Sequence, residues 1–292
     1  MSTRTLSLSA KAAARRRGNI IRHAFMILFS LIMIYPVVWW IGAALKSNNE
    51  LSSPGIFPSA PVWQNFVQGW HSVPGYSFTH FYLNTFKLEL AVLIVTLISC
   101  TLVAFGFARL DFPLKKMWFA LLMVTLMLPG QVLIIPQYAM FHQLGWVNTY
   151  LPFIVPHALA GGAGGTFFVF LLIQFIRGVP RELDESAKMD GCSWFGIYWR
   201  IILPLTKPAI VTVAIFCFLW NWDDFLGHLL YINSVDKYTV GLALRMINDS
   251  QAGQEWGQLL AMSLVSIIPA TLVFVAAQKH FVEGIATTGI KG

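Results

Sequence analysis

Six long apolar runs dominate the 292-residue chain, at about 20–45, 84–108, 116–141, 150–176, 207–231 and 257–280. A helix needs about 20 consecutive apolar residues to cross the hydrocarbon core of a bilayer. Charged residues make up 11% of the chain, under half the roughly 25% of soluble domains. The expected fold class is an all-α membrane protein with six transmembrane helices. Residues 20–280 form its transmembrane domain, between a basic tail at 1–19 and a second tail at 281–292.

Two runs carry further detail. The first has a basic flank but is longer than the 7–15 residues of a signal-peptide core, so it reads as an uncleaved helix. The fourth contains Pro152, Pro156 and the cluster Gly161, Gly162, Gly164 and Gly165. A broken or kinked element is expected there, shielded by protein or a cavity.

Lys and Arg are distributed by segment. Arg4, Lys11, Arg15, Arg16, Arg17 and Arg22 precede or open the first run. Arg109, Lys115 and Lys116 lie between the second and third runs, and Arg177, Arg181, Lys188, Arg200 and Lys207 between the fourth and fifth. Lys279 and Lys291 close the chain, the opposite loops hold only Lys46, Lys237 and Arg245, and Lys87 sits just inside the second run. Positive charge accumulates on the cytoplasmic side, so both termini are expected in the cytoplasm. A net charge of +7 spread in this way is a topology signal. A nucleic-acid binder would gather its cations on one folded face.

Several chemistries have no motif here. GxxxxGK[ST], HExxH and GxSxG are all missing, so no Walker-A loop, metalloprotease site or nucleophile elbow is expected. The glycine cluster at 161–165 lacks a following Lys and suits close helix packing or backbone bending. Cys100, Cys192 and Cys217 show no metal-ligand or CxxC spacing and read as small core residues. No catalytic or metal-binding residue is expected. The first outer loop, 46–83, is rich in Pro, Gly, Ser and Trp. It caps the outer mouth or touches an external partner, or its tryptophans rest at headgroup depth.

The loop RGVPRELDESAKMDGCSWFGIYWRIILPLTKPA, residues 177–209, breaks the membrane pattern on the cytoplasmic side. Pro180 can open a helix, and Glu182, Asp184 and Glu185 suit its N-terminal dipole. Leu183 and Ala187, four apart, share a face. Gly191 suits the left-handed position that stops a helix, and Ser193 can cap a second short helix. The sequence thus predicts a helix, a glycine turn and another helix: a docking device rather than a segment resting on lipid. Anionic headgroups would repel the leading acids.

This loop resembles the EAA motif of permeases in ATP-binding-cassette importers, E-A-A-x3-G-x9-I-x-L-P. Glu185, Ala187, Gly191, Ile201, Leu203 and Pro204 fall at its spacing, and Ser186 stands where the middle alanine would be. AFGFARLDFP (104–113), LPGQVLIIPQY (128–138), FLWNWDDFL (218–226) and QKHFVEGIATTGIKG (278–292) are similar to segments of the sugar-permease branch typified by the maltose importer's second membrane subunit.

The resemblance implies a multi-pass subunit of a bacterial cell membrane, not itself an enzyme, that couples ATPase closure to alternating access for an oligosaccharide or other sugar. It implies a second permease subunit of similar fold, two ATP-binding-cassette ATPase subunits and an extracytoplasmic solute-binding protein. No cofactor is expected in this chain, because ATP and Mg would be held by the ATPases. Leu183, Glu185, Ser186, Ala187, Gly191, Leu203 and Pro204 would form the ATPase-coupling set, and Gly289 and Lys291 would bring the tail to the same interface.

Candidates for the solute pathway are the ionisable Glu89, Asp223 and Asp224, which are costly inside a span unless a cavity or partner receives them. With them stand Asn84, Gln131, Gln137 and Asn221, and Trp220 and Trp222 as an aromatic platform; the alternative is that all of these serve helix packing. A glycerol-phosphate-type solute would want a cationic cavity, and only Lys87 lies near a span interior. A self-contained secondary carrier would show an internal repeat, and none is evident.

Overall fold

The computed structural model describes residues 2–250 and 255–289. All regular elements among them are helical. The chain separates into two compact units, Met1–Ser72 with Ser250–Val265, and Val73–Asp249 with Ser266–Gly292.

In the first unit, helix α1 spans Ser2–Ala44. Its apolar part, Gly18–Ala44, is long enough to cross a bilayer, and residues 18–37 of it are exposed. The segment expected as a separate basic tail continues this helix. Helix α2, Gln64–Trp70, is tied back by buried Asn65, whose Nδ2 donates to the carbonyls of Ala44 and Lys46, both at 2.9 Å.

The second unit is built around α3, Phe78–Arg109, which starts earlier than the expected 84. It packs against the helices at 151–158, 165–178 and 207–222 through a core that includes Leu88, Val92, Ala104, Phe168, Leu172 and Val213. The third apolar run, expected as one span, is instead two helices, α4 Lys115–Met127 and α5 Gly130–Gln143, bent by 103°. Pro129 explains the break. A proline disfavours helical backbone in the residue before it, and Leu128 is extended at φ −77° and ψ 122°.

The fourth run is broken where its composition indicates. Helix α6 covers Leu151–Ala158 and α7 covers Gly165–Gly178, separated by left-handed backbone at Ala160, Gly162 and Gly164. After the loop helices α8 Glu182–Met189, α9 Trp194–Ile197 and α10 Leu203–Leu205 comes α11, Lys207–Trp222. The fifth run does not continue as one helix to 231. Asp224 Oδ1 accepts the Gly227 N–H at 2.9 Å and so caps a new helix, α12 Phe225–Tyr231. Helices α13, Val240–Ser250, and α14, Trp256–Gly289, complete the fold. Among the described residues three helices are each long and apolar enough to cross a membrane, or up to five spans if each of two bent pairs counts as one.

Candidate functional site

The loop between α7 and α11 has the shape its sequence predicts, and each turn has a local cause. Helix α8 is stopped by Gly191 at φ +81°. The Gly191 N–H donates to Lys188 O and the Cys192 N–H to Ala187 O, both at 2.9 Å. That is the paired hydrogen-bond pattern of a Schellman C-cap. Ser193 then caps α9, its Oγ accepting the Gly196 N–H at 3.2 Å. Lys188 Nζ sits 3.6 Å from the centroid of the Trp194 ring, a cation–π contact that folds the two short helices together. From Tyr198 to Ile202 the helix widens into a π turn, and a 77° bend at Thr206 leads into α11.

Helix α8 buries Asp184 and Ala187. Leu183, four residues before Ala187, is 42% exposed, whereas the neighbouring Asp184 carboxylate is buried. Arg109 at the end of α3 receives it: Arg109 Nε lies 2.8 Å from Asp184 Oδ2, with side-chain exposures of 2% and 7%. Arg109 Nη2 also donates to Val179 O at 2.7 Å. The outward face of α8 carries Glu182, Glu185, Ser186 and Met189, with Met189 89% exposed. Further along, Leu203 is half-buried against the core and Pro204 is exposed. The Gly289 backbone ends α14, and Lys291 lies outside the described residues.

Arg109 and Asp184 are a pair that the sequence pattern does not single out. The available signal was an arginine closing an apolar run and an acid leading a cytoplasmic helix. Their separation in the chain hides the contact.

A cavity of about 640 Å³ lies beside the broken α6–α7 element. It is lined by Gln131 and Gln137 from α5, by Trp220 and Asn221 from α11, and by Asp224, together with His157 and the linker glycines. Trp220 stacks on Phe168 with ring centroids 5.3 Å apart. The structure thus gathers five of the nine solute-pathway candidates. The others lie elsewhere. Asn84 donates to the carbonyls of Asp236 and Tyr238 at 2.8 and 3.1 Å, a structural tie. Glu89 is buried within α3. Trp222 donates through Nε1 to Ser266 O at 3.2 Å, and Asp223 is exposed at the end of α11. The lining contains no Lys or Arg.

The family described as binding-protein-dependent transport system inner membrane component matches residues 100–287. The arabinooligosaccharides transport system permease protein AraQ of Bacillus subtilis (strain 168) is 29% identical over 272 residues, 92% of this chain and 94% of the relative. The sn-glycerol-3-phosphate transport system permease protein UgpE of Yersinia pestis bv. Antiqua (strain Antiqua) is 30% identical over 277 residues, 92% and 97% of the two chains. In fold, the chain matches a crystal structure of a bacterial ABC transporter involved in the import of the acidic polysaccharide alginate. The TM-score is 0.78 at 18% identity, covering 92% of this chain and 98% of the other. With α8 and its caps presented by a bundle of apolar helices, and with both relatives matched over nearly their whole length, the chain belongs to the family of binding-protein-dependent transport system inner membrane components, the permease subunits of ABC importers.

Proposed function

We propose that this permease imports a neutral saccharide and that α8 is where an ATPase subunit docks. The observation that carries the docking reading is the build of the loop. A glycine cap, a serine cap and a buried ion pair hold an exposed acidic helix against α3, a rigid surface with nothing of its own to catalyse. Glu182, Glu185, Ser186, Leu183 and Met189 would contact the ATPase, while Ala187, Gly191, Leu203 and Pro204 set the shape of the surface. The chain would cross the membrane six times with both termini in the cytoplasm, α6 and α7 together forming one crossing. A second permease, two ATPases holding ATP and Mg, and an extracytoplasmic binding protein would complete the importer in a bacterial cell membrane. Gly289 and Lys291 would add a tail contact to the ATPase.

The solute reading rests on the cavity. Gln131, Gln137, Asn221 and Asp224 offer hydroxyl partners and Trp220 an aromatic face, the composition expected of a sugar site. The relatives named for arabinooligosaccharides and for glycerol 3-phosphate make both solute classes candidates. A phosphate would want guanidinium or ammonium groups. The lining has none and holds Asp224, which favours the neutral sugar.

The test is co-purification followed by reconstitution in vesicles with the ATPases and binding protein. Glu185→Lys is expected to lose the ATPases from the purified complex. Uptake by this chain alone on an ion gradient would overturn the reading. Import of glycerol 3-phosphate in preference to arabinooligosaccharide would overturn the solute class.

A further inference from the structure

Three side chains on one face of α3 hold the coupling loop. Thr101, Phe105 and Arg109 are spaced four apart, so they stand in line along the helix. Thr101 Oγ1 and Tyr198 OH are 2.9 Å apart. Phe105 packs against Tyr198 and Trp194, with ring centroids 5.3 and 6.3 Å away. Arg109 pairs with Asp184 at 2.8 Å. One helix therefore grips α8, α9 and the π turn together. Both partners of the ion pair are almost fully buried. Desolvation offsets much of the attraction in such a pair, so its contribution lies in fixing geometry.

The same helix also holds the cavity wall. Ser99 Oγ donates to His157 O at 2.7 Å, and Cys100 Sγ approaches Gly165 O at 3.8 Å. These two carbonyls flank the left-handed break between α6 and α7, and both residues line the cavity. Loop and cavity wall are thus fastened to α3 within a few turns of each other.

We propose that Arg109 and Asp184 are the positioning pair of the coupling loop. They key α8 to α3, so that a displacement of α8 reaches the α6–α7 break as movement of one rigid body. The proposal rests on the reading of α8 as the ATPase contact. Switching between discrete packings needs a connection of this kind, and physical evidence for it must come from movement.

The test uses spin-label distances in the complete reconstituted importer, nucleotide-free and trapped with ATP and vanadate. One label pair, Leu102→Cys with Trp199→Cys, spans α3 and the loop. A second, Leu159→Cys with Leu226→Cys, spans the cavity. The first distance is expected to stay constant between the two states while the second shifts. Asp184→Asn leaves a charged guanidinium without its partner and is expected to abolish most of the cavity shift and make the first distance vary. The exchanged pair Arg109→Asp/Asp184→Arg is expected to restore both. Arg109→Lys, which keeps the charge and loses the planar fork, covers the case in which Asp184→Asn fails to assemble, and the same loss is expected. A change in the first distance approaching the about 5 Å of a one-turn ratchet in the unmodified pair would overturn the proposal. So would an intact cavity shift in Asp184→Asn or Arg109→Lys. Retention of the ATPases by Glu185→Lys would instead count against the docking reading, and the label distances decide the pair separately.

Discussion

Replacing Gly191 and Gly164 each by alanine applies one backbone perturbation in two different surroundings. Their φ angles are +81° and +78°, where an L-residue costs roughly 1–2 kcal/mol. A Cβ on Gly191 would meet nothing within 4 Å, so that backbone strain is the whole cost. A Cβ on Gly164 would stand 2.6 Å from Trp220 Cε3 and 3.0 Å from Phe168 Cζ. Those two rings are stacked on each other at an interplanar angle of 21°, so neither can give way alone. Overpacking of this kind adds roughly 1–3 kcal/mol, which brings Gly164→Ala to roughly 2–5 kcal/mol. The assay is unfolding in mixed detergent micelles followed by tryptophan fluorescence, with both variants measured alongside Trp220→Leu. In the Trp220→Leu background the Gly164→Ala penalty should fall toward that of Gly191→Ala. Equal penalties for the two glycines, or no relief from Trp220→Leu, would refute the reasoning.

Three more outcomes follow from the described contacts. Ser193→Ala removes the acceptor for the Gly196 N–H and should cost about 1 kcal/mol, seen as faster amide exchange over 194–197 and prevented by Ser193→Asp. Lys46 is buried, and its Nζ donates to Gly55 O and, at 3.4 Å, to Ser53 Oγ. Lys46→Met leaves these acceptors unpaired at a cost of roughly 1–3 kcal/mol, and limited proteolysis should then cut faster within 47–59. Glu50 accepts from both the Ser59 hydroxyl and the Ser59 N–H at 2.7 Å. These bonds, the side-chain one foremost, hold its carboxyl below the usual carboxylate range. A lowered folded value means the tie is fully present above about pH 4.3 and is lost as pH falls through the lowered value. Exchange at the Ser59 amide, relative to its intrinsic rate, should therefore quicken in acid, and Glu50→Gln should remove that dependence.

Features decided by neighbours in the chain were legible in the sequence. Gly191 and Ser193 are caps whose chemistry is complete within five residues. Pro152, Pro156 and the glycines at 161–165 announce a break with no help from the rest of the fold. The kink at Leu128–Pro129 had the same kind of signal but lay inside a run whose apolar length pointed to one span. Asp224, an ionisable residue in an apolar run, points toward solute by its sequence alone, although its Oδ1 first serves a helix start. What pattern reading could not reach is the set of contacts between distant segments. The Asp184 carboxylate is buried where Arg109, in another helix, meets it. Asn84 looks like a pore residue until Asp236 and Tyr238 claim its amide.

The π turn at Tyr198–Ile202 has a consequence for how such a loop can change in length. A π turn holds one residue more than the α turn it replaces, and each α-helical residue rotates its successor by about 100°. The widened turn takes up the extra residue without passing that rotation on to the coupling helices or to α11. It lets Tyr198 point at Thr101 while Ile202 and Thr206 stay in the core. Deleting one residue within the turn would let it relax to α geometry, whereas the same deletion in α8 would shift Glu185 against Asp184 and Ala187. A single-residue deletion should accordingly be better tolerated at 198–202 than between 182 and 191.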